Sequence, residues 1–75
     1  MPTFHTSTGR LTPYAFACGY VEQTERNNRR VQLWHENGTY HVRGHDYTEH
    51  ERLFWECFDQ LPAARRYYDR QAKTI

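Results

Sequence analysis

Four of the five histidines, both tryptophans and one of the two cysteines fall between residues 29 and 59. These side chains ligate metals, move protons or stack on ligands, so their spacing is the first test of function. His41 and His45 are four residues apart; on a strand that is about 13 Å along the chain, too far to share one metal ion. His45, Asp46 and His50 converge only if the loop over 46–51 folds back, which is far short of a spaced Cys/His zinc pattern. No metal or cofactor site is expected. For hydrolysis the chain offers a single serine, Ser7, in a segment without the rigid support that a nucleophile needs. Cys57 is expected to point inward, which suits packing rather than thiolate chemistry. His41 is expected opposite Glu56; that could be an acid–base pair, although a cross-strand ion pair is the commoner meaning. The glycines at 9, 19, 38 and 44 are scattered and form no phosphate loop. No catalytic residue is assigned, and the chain reads as a non-enzyme.

The elements that must position these residues are set by a short chain. Seventy-five residues allow one domain, near the lower size limit for unaided folding. Aromatic residues make up 16% of the chain, and their large burial per residue partly offsets the small size. The net charge of +1 provides no global pull towards nucleic acid or membrane. The basic residues are nine Arg and one Lys; this skew suits a GC-rich genome and also bidentate or stacked recognition. Cys18 and Cys57 are expected to be free, buried thiols. The polar run "HTSTGRLTP" before "YAFAC" lacks a signal-peptide core, and no stretch approaches a membrane span. A cytoplasmic location is expected.

Along the chain, 1–12 reads as an extended or frayed arm. "PYAFACGYVE" alternates and predicts a first strand, followed by a polar turn over "QTERNN". "RRVQLWHE" predicts a second strand. Asn37-Gly38 supplies the positive φ values of a type I′ hairpin turn, and "TYHVRGHD" follows as a third strand. This register places Val31, Leu33, His35, Tyr40, Val42 and Gly44 on the core side, and Trp34, His41, Arg43 and His45 on the other. The next segment has two readings. "TEHE" resembles a capping box, yet Leu53, Trp55 and Cys57 alternate, and aromatics favour strands. The expectation is a strand over 52–58, with Leu53, Trp55 and Cys57 inward. Residues 59–75 predict a helix, with Asp59 as N-cap and an apolar stripe of Leu61, Ala64, Tyr68, Ala72 and Ile75. The fold class expected is α+β: a four-stranded antiparallel meander with one C-terminal helix packed on one face. The alternative is three strands plus two helices.

The outer face then carries Trp34, His41, Arg43, Arg52, Phe54 and Phe58. Aromatics mixed with Arg can stack bases, and they are also enriched in protein-binding patches. A protein partner, a second copy included, is the leading expectation for this face, and nucleic acid is the alternative. Cover by the N-terminal arm would make the face merely structural. Arg65, Arg66 and Arg70 form a secondary basic patch on the helix, which reads either as a solvated face with i,i+4 ion pairs or as a contact for phosphate or an acidic partner. Neither a membrane contact nor a small-molecule substrate is indicated.

"TPYAFACGYVE", "LWHENGTYHVR" and "FWECFDQLPAARRYYD" together resemble small uncharacterised proteins of proteobacteria, their phages and mobile elements. Small phage-encoded inhibitors such as anti-CRISPR proteins are similar in size and composition. The resemblance implies a bacterial, phage or mobile-element origin and supports the fold, but it carries no activity. The expected function is a non-enzymatic macromolecular binding module that regulates or inhibits a host protein, with single-stranded nucleic-acid binding as the alternative.

Overall fold

The computed structural model of the chain describes Thr6, Ser7 and residues 10–75. Thr6–Ser7 is a two-residue strand, β1, and Pro13–Ala17 a short helix, α1. Four longer strands follow: β2 (Val21–Arg26), β3 (Arg29–Glu36), β4 (Thr39–Asp46) and β5 (Glu51–Phe58). The helix α2 (Leu61–Ala72) closes the chain. The sheet runs in the order β1-β2-β3-β4-β5; β1 lies parallel to β2, and the other four strands form an antiparallel meander. This is the α+β meander with a C-terminal helix expected from the sequence, and 51–58 is strand rather than helix. Most of the arm expected over 1–12 lies outside the described residues.

The first predicted strand is wrong in position. Residues 13–17 are helical and the strand starts at Val21. The alternation of Tyr14, Phe16, Cys18 and Tyr20 is overridden by local helix signals. Thr12 caps the N-terminus, its side chain accepting from the Ala15 N–H at 3.2 Å, and Pro13 sits where its missing N–H costs nothing. Gly19 adopts φ 93° just past the helix, and the Gly19 and Tyr20 amides donate to Phe16 and Ala15 carbonyls at 3.0 and 3.1 Å. That is a glycine-terminated helix stop. The polar "QTER" is strand, and the turn is Asn27-Asn28 alone, with φ 55° and 61°. Asn tolerates this left-handed region better than most residues, so the β2–β3 hairpin is a second two-residue turn beside Asn37-Gly38 (φ 53° and 76°).

The core lies between the sheet and α2. Phe16, Val31, Leu33, Val42, Ala64, Tyr68 and Ile75 are buried together. Ala64, Tyr68 and Ile75 come from the predicted helix stripe. Capping differs from expectation: the N-cap of α2 is Gln60 rather than Asp59, and no side chain caps it. At the other end, Arg26 donates to the Ala72 carbonyl (2.8 Å), which the helix leaves open, and Asn27 donates to the Ile75 oxygen (2.6 Å) beyond it, so the first hairpin holds the end of α2 and the residues after it.

The β3–β4 register matches the sequence expectation pair for pair, from Glu36↔Thr39 to Leu33↔Val42. The β4–β5 register matches only beside the turn, at Asp46↔Glu51 and His45↔Arg52. Arg43 pairs with Trp55, Val42 with Glu56 and His41 with Cys57, one residue away from the expected alignment. The shift is a single one, at Gly44/His45: His45 still pairs with Arg52 as expected, Gly44 pairs with Phe54, and Leu53 is extra. A one-residue slip moves every side chain to the opposite face. Phe54 and Phe58 therefore pack on the core side, against Tyr67 at ring-centroid distances of 5.5 Å each. Trp55 and Cys57, expected inside, are exposed on the outer face. Glu56 sits on the helix side opposite Val42 and cannot pair with His41.

Candidate interaction surface

The outer face is built in rungs across the meander. One rung runs Gln23–Gln32–Arg43–Trp55 through all four strands. Its polar half is hydrogen bonded: Gln32 Nε2 donates to Gln23 Oε1 at 3.2 Å, and Arg43 Nη2 donates to Gln32 Oε1 at 2.9 Å. The next rung is Trp34–His41–Cys57, and the one on the other side Glu25–Arg30–His45–Arg52. Strand pairing alone thus brings two indoles, two imidazoles and three guanidiniums onto one surface.

Trp34 stacks on His41 (centroids 5.1 Å apart, 12° between planes), and the Arg43 guanidinium lies 5.2 Å from the Trp34 ring centre. The same guanidinium is 5.5 Å from the Trp55 ring, which Arg52 also approaches at 5.4 Å. Trp34 and Trp55 are 5.8 Å apart. Cation–π contacts of this kind contribute about 0.5–1 kcal/mol each at exposed sites, and here they interlock, so the side chains hold one another in place. Trp55 Nε1–H donates to His41 Nδ1 at 3.1 Å, which makes that nitrogen the acceptor in this arrangement. Cys57 Sγ lies 3.3 Å from the same atom. Further along, Tyr47 packs on His45 (4.8 Å) and lies under Arg30 (5.0 Å), while Arg30 is paired with Glu25 at 2.9 Å. Among the described residues neither Arg43 nor Arg52 has a carboxylate partner.

Of the six residues expected on this face, Trp34, His41, Arg43 and Arg52 are brought together and Phe54 and Phe58 are not. Trp55, Cys57 and Tyr47 take their place. The signal for the first two was Gly44: a Cβ there would lie 2.6 Å from Phe54 Cζ, so the glycine makes room for the ring on the core side. Both cysteines are free as expected, but exposed rather than buried.

The secondary basic patch divides. Arg65 turns into the fold: its Nη1 lies 3.1 Å from each Glu22 carboxylate oxygen, and its Nη2 donates to the Leu11 carbonyl at 2.9 Å. Asp69 pairs with Arg10 at 3.2 Å instead of with a helix neighbour. Arg66 and Arg70 stay exposed and, with Phe58, Ala63 and Tyr67, line a shallow hollow of about 390 Å³. Arg70 lies 5.5 Å from the Tyr67 ring centre. Burial pushes the Tyr67 hydroxyl above its ordinary pKa, nearby Glu56 adds to that, and Arg70 opposes it.

Among the described residues no three His, Cys, Asp or Glu side chains are grouped to hold a metal ion. Asp46 turns away from His45: its carboxylate takes the Arg29 Nε–H at 3.1 Å and the Thr48 and Glu49 amides at 2.9 and 3.2 Å. No described helix is long and apolar enough to cross a membrane. Fold and surface together define a small α+β domain whose antiparallel sheet has one face on a helix and the other covered by interlocked aromatic and cationic side chains. No family model, no curated protein and no solved structure matches the chain.

Proposed function

We propose that the chain is a small, non-enzymatic binding module that docks its outer sheet face on an acidic surface of a protein partner. In this reading it is a cytoplasmic regulator or inhibitor of a host protein, from a bacterium, phage or mobile element. The observation that carries it is Arg43, set against both Trp34 and Trp55 with no carboxylate partner among the described residues. A central Arg beside tryptophans is the usual make-up of an interface hot spot. A rigid, interlocked patch also loses little side-chain entropy on docking. What supports a non-catalytic reading is that the Trp55 Nε1–H already donates to His41 Nδ1, the same nitrogen that Cys57 Sγ approaches.

Single-stranded nucleic acid is the second reading, favoured by Trp55, which is 42% exposed and flanked by Arg52. Trp34 speaks against it: His41 stacks on its ring and Arg43 crowds it, so it offers little free face for a base. Affinity capture from the source organism, with and without nuclease, separates the two. Capture should survive nuclease, and Arg43→Ala with Trp55→Ala should abolish it while the chain still melts cooperatively, its stability lowered by the lost cation–π contacts alone, about 1–3 kcal/mol. Loss of capture on nuclease treatment, with a steep salt dependence from counterion release, would move the assignment to nucleic acid.

A further inference from the structure

We propose that the partner enters as an extended acidic peptide, adding to the open edge of β5 as a further strand. This rests on the reading of the outer face as a protein-binding surface and specifies how that surface is used. β5 is the last strand of the sheet and eight residues long, and among the described residues its only strand neighbour is β4. Its free side therefore offers roughly 26 Å of backbone N–H and C=O groups. Sheet edges are normally blunted with proline, lysine, bulges or a covering element. β5 has neither Pro nor Lys, its bulge lies near its start at Leu53 beside the charged Glu51 and Arg52, and the regular stretch 54–58 carries a single charge, Glu56. Leu53 is 39% exposed. The opposite edge is treated differently: β1 covers the first two residues of β2, and Arg26 at its far end is tied to α2.

Both flanks of the β5 edge carry the same chemistry. On the outer side Arg43 and Arg52 lie against Trp55. On the helix side Arg66 and Arg70 border the hollow floored by Phe58 and Tyr67. Side chains of an added strand alternate between these two sides, as in other strand-addition modes. None of the four guanidiniums has a carboxylate partner among the described residues, so both flanks select acidic side chains. Glu56 faces the helix side opposite Val42. It disfavours an acid directly beside it and leaves that preference to positions near Phe58.

The probe is an end-capped eight-residue peptide, Glu-Glu-Val-Val repeated, which presents one acid and one apolar residue in turn to each side of a strand. It is titrated into the full chain and followed by amide NMR. Saturable shifts should centre on the amides of 51–58. Arg43→Ala and Arg66→Ala/Arg70→Ala should each weaken binding by about tenfold. The Lys-Lys-Val-Val peptide, and a version of the acidic peptide N-methylated at alternate residues, should bind at least about tenfold more weakly, since one loses the charge match and the other the strand pairing. Equal binding of the N-methylated peptide, or unaffected binding in Arg66→Ala/Arg70→Ala, overturns strand addition while leaving the outer-face reading intact. Binding that ignores Arg43→Ala and the Trp34 and Trp55 indoles overturns both. A dimer formed without peptide, with shifts at 51–58, replaces the peptide by a second copy.

Discussion

Glu22 and Arg65 are 43 residues apart in the chain and hold three segments together. Arg65 Nη1 is shared between the two Glu22 carboxylate oxygens, 3.1 Å from each. Glu22 Oε1 also accepts the Leu11 N–H at 2.8 Å, and Arg65 donates to the Leu11 carbonyl, so the segment before α1, the strand β2 and the helix α2 meet at one ion pair. Glu22 is 4% exposed. Breaking a buried pair by removing one partner strands the other charge and costs about 3–5 kcal/mol. Glu22→Ala should therefore lower stability by about 3 kcal/mol, the low end because Arg65 keeps some solvent contact, measured as a shift in the urea midpoint. Replacing the exposed Arg66 should leave the midpoint nearly unchanged. Nothing in the spacing of "YVEQTE" marks Glu22 as buried. An acid on an alternating strand reads as solvent-facing until the helix that covers it is in place.

At the scale of elements, the β4–β5 pair decides which aromatics are core. The turn over 47–50 has the expected length, with Asp46 accepting two of its amides and His50 at φ 54°. The "TEHE" capping signal is spent on this turn and starts no helix. The extra residue at Leu53 then sets the face of everything after it. Two-residue turns such as Asn37-Gly38 set a register from sequence, because only one pairing closes them. A four-residue turn followed by a bulge permits neighbouring alignments, and packing selects among them. Here Phe54 fills the space over Gly44 and meets Tyr67, whereas Trp55 in that place would have to bury a larger ring. Phe54→Ala should accordingly cost about 3 kcal/mol, towards the lower end for core aromatic truncation because Phe54 is half-buried. Trp55→Ala should cost well under half as much. Equal midpoints in chemical denaturation for the two variants would contradict the observed register.

Across the whole molecule, a net charge of +1 conceals a sorted distribution. The two buried acids, Glu22 and Asp46, are each paired with an Arg, Arg65 and Arg29, while Arg43, Arg52, Arg66 and Arg70 have no carboxylate partner among the described residues. Asp46 links this arrangement to pH. The Glu49 amide holds its carboxyl below the ordinary range, with Arg29 and the Thr48 amide helping and burial opposing. Its folded pKa is therefore lower than in the unfolded chain, where it is about 3.9. The unfolded chain takes up the proton first, so this contribution is fully present above about pH 4 and is lost as pH falls through the lower folded value. The thermal midpoint of the parent should drop on acidification below about pH 4. Asp46→Asn should start lower at neutral pH and show a shallower acid limb.

Local chemistry was enough to determine the Asn37-Gly38 hairpin and its register, the apolar stripe of α2 and the grouping of Trp34, His41 and Arg43 on one face, and it favoured strand over helix for 52–58. Each depends on residues within a turn or two of one another, where φ preference and side-chain period act directly. The helix at 13–17 was also local, written in Thr12-Pro13 and Gly19, but a stronger alternation of aromatics masks it. What only the tertiary structure decided were the exposure of Trp55 and Cys57, the burial of Phe54 and Phe58, and the inward turn of Arg65. These follow from contacts made across long stretches of sequence, with Gly44, Tyr67 and Glu22, and such contacts have no period along the chain.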